Sequence, residues 1–127
     1  MEFIQELNQT FASGKTKSID WRKSQLLSLK RLMVENEQAI YKALEQDLGK
    51  CEFEVYLAEY SYVLHDIDLF LKNLKKWMKP VTVSTLVLAQ PGSSKLLPEP
   101  YGVSLIMGAW NYPIQLVLSP MVASMAA

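Results

Sequence analysis

Through the first two-thirds of the chain, apolar residues recur at helical spacing, and the pattern then changes character twice. A short helix is predicted from Glu2 to about Ser13, closed by Gly14, a residue suited to a helix C-terminus. A second begins with Asp20 as N-cap, sets Leu26, Leu29, Met33, Ile40 and Leu44 on one face, and stops at Gly49. A third runs from about Glu52 with Tyr56, Tyr60, Leu64, Ile67, Leu71, Leu74 and Met78 on one stripe, and Pro80 ends it. Such stripes form a core. They are too short to sustain the heptads of a coiled coil.

After Pro80 the period shortens. Residues 81–88 are β-branched and partly alternating, Gln90-Pro91-Gly92-Ser93 is a turn signal, and residues 94–97 read as a return strand. Together they predict a β-hairpin arm, and Pro98 and Pro100 favour an edge position.

The final stretch, residues 101–127, carries no charge. An apolar run of about twenty residues is long enough to cross a bilayer as a helix. Here the interior argues against a span: Asn111 and Pro113 fall mid-run, followed by Gln115, Ser119 and Pro120, and helix breakers would leave backbone groups unpaired in lipid. Residues 103–109 instead read as a strand of a parallel sheet buried on both faces. Tyr112 precedes proline and is biased to extended geometry, so a helix begins at or just after Pro113. The unit is strand, turn, helix. In open parallel sheets ligands bind beyond the carboxyl ends of the strands, where Asn111 falls.

Composition adds boundaries. Half of the 127 residues are hydrophobic, the upper edge of globular usage, so part of that surface is expected to face partners beyond this chain. Acids and bases balance to a net charge of zero, leaving no footprint for nucleic acid. The basic run from Lys72 to Lys79 ends a helix, where cations complement the macrodipole. The single cysteine, Cys51, cannot form an internal disulfide, and the acidic, amphipathic N-terminus has no secretory pattern, so a reducing cytoplasm is expected. Cys51 stands at the start of a helix but has no histidine near it in sequence and is a poor nucleophile. His65, with Ser61 and Asp68 one turn away, reads as a hydrogen-bonded surface residue, and no second ligand stands at metal-binding spacing.

Asn111 is the residue with candidate chemistry. Addition to a carbonyl places negative charge on oxygen, and a fixed carboxamide donor stabilises that charge without a protonation equilibrium of its own. Capping the following helix, or satisfying the turn, is the alternative role for an asparagine in this place.

The stretch from Glu99 to Ala127 around Trp110-Asn111-Tyr112-Pro113 resembles the first cofactor-domain strand and helix of NAD(P)-dependent aldehyde dehydrogenases. The Asn-Tyr-Pro form, and Asp47-Leu48-Gly49-Lys50 followed by a tyrosine-rich helix, are similar to the class 3 branch acting on fatty and aromatic aldehydes. The resemblance covers nearly the whole chain. It implies an incomplete α/β fold: residues 1–79 a helical segment of the cofactor-binding domain, 80–100 the arm towards an oligomerisation domain, and 101–127 the first strand and helix of a Rossmann-like core. The chain thus reads as an N-terminal fragment, the nucleophilic cysteine and general-base glutamate lying downstream.

The resemblance also implies roles. Asn111 donates to the oxyanion of a cysteine thiohemiacetal, Ala109 and Trp110 lie beside the nicotinamide ribose of NAD or NADP, and Tyr62 and Tyr112 line the aldehyde tunnel. Tyr62 is equally readable as a helix-packing residue with its hydroxyl at the surface. The absence of a glycine-rich dinucleotide fingerprint fits this family, which binds its cofactor without one. A small-molecule aldehyde substrate and a homodimer are implied for the full enzyme. An acyl-CoA or acyl-phosphate reductase on the same scaffold, or a non-catalytic helical interaction module, are the alternatives.

Overall fold

A computed structural model describes residues 2–127. Six α-helices are present among them: α1 (Glu2–Ala12), α2 (Ile19–Glu35), α3 (Glu37–Leu48), α4 (Glu52–Val55), α5 (Ser61–Trp77) and α6 (Pro113–Ala126). A π-helical turn, Tyr56–Tyr60, joins α4 to α5. Strands β1 (Val81–Val83) and β2 (Ser94–Leu96) form an antiparallel pair, with Val81 opposite Leu96 and Val83 opposite Ser94.

Helices α2, α5 and α6 pack against one another pairwise and supply most of the core. Leu26, Leu29 and Met33 come from α2, Val63, Ile67 and Leu74 from α5, and Val122 and Ala126 from α6. Tyr41 and Leu44 of α3 extend it.

Local chemistry explains where the elements depart from the expected boundaries. Helix α2 starts two residues earlier than Asp20 suggests, because the Ser18 hydroxyl accepts from the Trp21 N–H at 3.1 Å and caps the helix, leaving Asp20 in the first turn. The long helix expected up to Gly49 divides at Asn36, whose main-chain N–H and side-chain Nδ2 both donate to the Leu32 carbonyl. A side-chain amide bonding four residues back competes with the helical ladder, and a new helix restarts at Glu37. In the third helix the π turn inserts a residue into the repeat, so that Glu59 and Tyr60 both face inward while Tyr56 is exposed. The first arm strand is three residues rather than eight, since residues 87–89 wind into a 3-10 turn.

Residues 103–109 carry no regular secondary structure, for want of a neighbouring strand among the described residues. They run alongside α6. Ser124 Oγ donates to Ser104 Oγ at 3.2 Å, and Gly108 lies so close to Val117 that a Cβ there would stand 2.4 Å from Val117 Cγ2. The step from Ser104 to Gly108 thus keeps pace with the helical step from Val117 to Ser124, which rises roughly 10 Å at 1.5 Å per residue. A four-residue segment covers that distance only when nearly extended. The strand-then-helix path is present, and the ladder is what is lacking.

Candidate functional site

The site is assembled from three places where the chain stops being regular. At the end of α3, Gly49 adopts a left-handed conformation (φ 65°), its N–H donating to the Glu45 carbonyl and the Lys50 N–H to that of Leu44. A side chain at this φ is strained, which is the physical need for glycine. The turn delivers Lys50, only 8% exposed, to the interior. The π turn delivers Glu59, fully buried at 0%. Pro113, in the first turn of α6, opens a helix whose initial N–H groups lack intrahelical acceptors.

These three converge. Lys50 Nζ donates to Glu59 Oε1 at 2.6 Å. Glu59 Oε2 accepts from the main-chain N–H of Ile114 at 2.8 Å and, more weakly, from that of Gln115 at 3.4 Å. Glu59 is therefore the N-terminal cap of α6, supplied from across the fold, and its negative charge complements the helix dipole. Lys50 Nζ donates a second bond of 2.6 Å to the main-chain carbonyl of Asn111 and stands 3.8 Å from the centroid of the Tyr112 ring. A buried ion pair stays in place only when its remaining donors and acceptors are satisfied, and this one is.

At the other end of α6, Arg22 plays the complementary part. Its Nη1 donates to the Ala126 carbonyl at 3.1 Å and its Nε to that of Thr16 at 3.2 Å. Burial holds the Arg22 guanidinium below its ordinary pKa. Helix α6 is thus gripped by an anion at its start and a cation at its end.

Ala109, Trp110, Asn111 and Tyr112 follow one another through the turn into α6. Trp110 is 84% exposed, Ala109 and Asn111 are exposed, and Tyr112 is half-buried against Lys50. The Asn111 carboxamide makes no hydrogen bond among the described residues; it does not cap α6, because Glu59 does. Tyr62, in the first turn of α5, is half exposed and is joined to the turn by neither a hydrogen bond nor an aromatic contact. Cys51 is exposed at the start of α4, and Asp68 pairs with Lys30 at 2.5 Å. Sequence reasoning passed over Lys50 and Glu59 as functional residues. The signal was present: Val55, Glu59, Val63 and Ile67 lie four apart, and a carboxylate interrupts an otherwise apolar, buried row.

Two clefts of about 250 Å³ flank the C-terminal end of α6, one lined by Phe11, Arg22 and Met125, the other by Phe70, Trp77 and Ala126. Neither includes a residue of the Asn111 turn. Among the described residues no helix is long and apolar enough to cross a membrane.

Residues 2–127 match the sequence profile of the aldehyde dehydrogenase family. The chain belongs to that family. Among aldehyde dehydrogenases it is 44% identical, over 98% of its length, to aldehyde dehydrogenase family 3 member I1, chloroplastic, of Arabidopsis thaliana. It is 40% identical over 99% of its length to family 3 member B3 of Mus musculus. The structure of Staphylococcus aureus AldH in its substrate-bound state superposes with a TM-score of 0.93 at 36% identity, covering 97% of this chain and 27% of that one. The chain spans about a quarter of these relatives, 22% of the first and 26% of the second. The likeness places it in the class 3 branch and accounts for a helical, partly strand-bearing piece of an aldehyde dehydrogenase fold.

Proposed function

We propose that the enzyme containing this chain oxidises an aldehyde to a carboxylic acid with NAD or NADP. The observation that carries this reading is the Asn111 turn: an exposed carboxamide with no internal hydrogen bond, at the mouth of α6, with its main chain anchored by Lys50. A cysteine and a general-base glutamate from outside these residues complete the site. The thiolate adds to the aldehyde carbon, the carbonyl π electrons move to oxygen, and the Asn111 amide donates to the resulting oxyanion of the thiohemiacetal. Return of that electron pair expels hydride and leaves a thioester, which water cleaves to the acid and the free thiol. NAD or NADP supplies the hydride acceptor when bound. Ala109 and Trp110 are the residues that would hold it; both are exposed, and the small side chain of Ala109 leaves its backbone approachable. Tyr112 and Tyr62 would border the aldehyde.

The same reading gives the β1–β2 arm a role. Leu86, Val87, Leu88, Leu96 and Leu97 are exposed on or beside it, and an apolar surface of this kind is suited to burial in a homodimer. A monomer in sedimentation of the full-length protein would remove that part. The single, exposed thiol fits a reducing compartment such as the cytoplasm, and fluorescent tagging of the full-length protein tests it.

The oxidation itself is tested by aldehyde-dependent NAD(P)H formation in the full-length protein, with the carboxylic acid identified as product. An acyl-CoA or acyl-phosphate appearing instead of the acid transfers the assignment to the reductase alternative.

A further inference from the structure

The site holds two buried charges to which the aldehyde chemistry assigns no task. We propose that Lys50 and Glu59 form a positioning lock that fixes the main-chain position from which the Asn111 carboxamide projects. The inference rests on the oxyanion reading of Asn111.

The carboxamide has no hydrogen-bond partner of its own among the described residues, so what the fold fixes is the main-chain position from which it projects. The stretch from the Asn111 carbonyl to Ile114, on the carboxyl side of the Asn111 Cα, is held at its two ends by one ion pair. Lys50 takes the carbonyl of Asn111, and Glu59 takes the N–H of Ile114, three residues on. Between these points lie only Tyr112, whose ring faces the Lys50 ammonium, and Pro113, whose φ is fixed by its ring. A turn held at both ends and stiffened between them has little freedom to carry the Asn111 Cα away from its place. An error of about 1 Å in such a placement costs up to ~100-fold in rate.

Lys50 acts through Asn111 rather than on substrate. Its ammonium is committed to Glu59 Oε1, to the Asn111 carbonyl and to the face of Tyr112, and the residue is almost fully buried. Glu59 is fully buried and both its oxygens are engaged, which leaves it unsuited to proton transfer with a substrate. Both are positioning residues.

The test is a kinetic cycle in the full-length enzyme with hexanal and NAD+ or NADP+, comparing Lys50→Met, Asn111→Ala and the double variant, each confirmed as folded by circular dichroism. Lys50→Met is expected to lower kcat by about tenfold or more, with KM for hexanal changing less than about threefold. In the Asn111→Ala background the same substitution is expected to cost less than about twofold, because a lock with nothing to aim has no kinetic effect. A general structural role would instead lower kcat by the same factor in both backgrounds. That result, or an unchanged kcat for Lys50→Met with Asn111 present, overturns the lock. If Lys50→Met does not fold, Lys50→Met/Glu59→Gln replaces it in both backgrounds. The glutamine oxygen still caps Ile114, no charge is left buried, and the same two outcomes decide. A wild-type kcat for Asn111→Ala alone overturns the oxyanion reading instead, so the two failures are distinguishable.

Discussion

The Lys50 ammonium donates to the main-chain carbonyl of Asn111 at 2.6 Å, bringing the end of α3 to the start of α6 across 61 positions of sequence. The bond ties the Asn111 turn to the stability of the fold, because the charge that holds the turn is itself buried and depends on Glu59. Removing one partner of a buried pair strands the other.

Lys50→Met is accordingly expected to destabilise the protein by about 3–5 kcal/mol, whereas Lys50→Met/Glu59→Gln recovers part of that loss by leaving no unpaired charge. Chemical denaturation of both variants checks this. Equal losses for single and double variants would mean that the pair is not electrostatically coupled.

A second expectation concerns the close approach at Gly108. A Cβ at this position would lie 2.4 Å from Val117 Cγ2, and the β-branched valine has little rotamer freedom within a helix. Gly108→Ala should cost about 1–3 kcal/mol through overpacking. Adding Val117→Ala should relieve most of it, so that the double variant is less destabilised than the sum of the two single variants.

The fold was more legible than the site. Pro113 and the apolar stripes of α2 and α5 carried the helices, because periodic burial leaves a periodic sequence. The division at Asn36 was missed because it depends on which acceptor a side-chain amide finds, the Leu32 carbonyl, and period alone is blind to that. Residues 103–109 have the composition of a strand without a strand's ladder, since composition reports what a segment suits and pairing requires a neighbour. Asn111 was visible as a candidate because it stands between a strand-like run and a proline-started helix. Spacing alone favoured capping for it, and the actual cap, Glu59, lies 55 positions from the Ile114 N–H that it accepts. Lys50 sat within a motif that was noticed; Glu59, nine positions on, left a trace in the apolar row it interrupts, but the contact with Asn111, 61 positions away, left none.

Tyr41 provides a pH dependence. Burial, followed by its hydrogen bond to Glu37 and the charge of that carboxylate, pushes the Tyr41 phenol well above its ordinary range. The unfolded chain loses this proton near pH 10, while the fold retains it. The contribution to stability is therefore complete below about pH 10 and is lost as pH rises through the folded value. Urea denaturation between about pH 9 and 11.5 should give a shallower alkaline decline for Tyr41→Phe than for the parent. Identical slopes would rule the residue out as a source.

The 127-residue chain alone is expected to produce no NAD(P)H from aldehydes, because Cys51, its only thiol, lies outside the Asn111 turn at the start of α4. Incubation of the purified chain with aldehyde and cofactor checks this. Activity above background, abolished by Cys51→Ser, would assign the nucleophile to this chain after all.

The role of Asn111 is tested most directly by single-turnover kinetics of Asn111→Ala in the full-length enzyme, with cofactor affinity measured alongside. Loss of one oxyanion donor is expected to slow the chemical step by about 100- to 1000-fold and to leave cofactor affinity within about twofold. An unchanged single-turnover rate would contradict the oxyanion role.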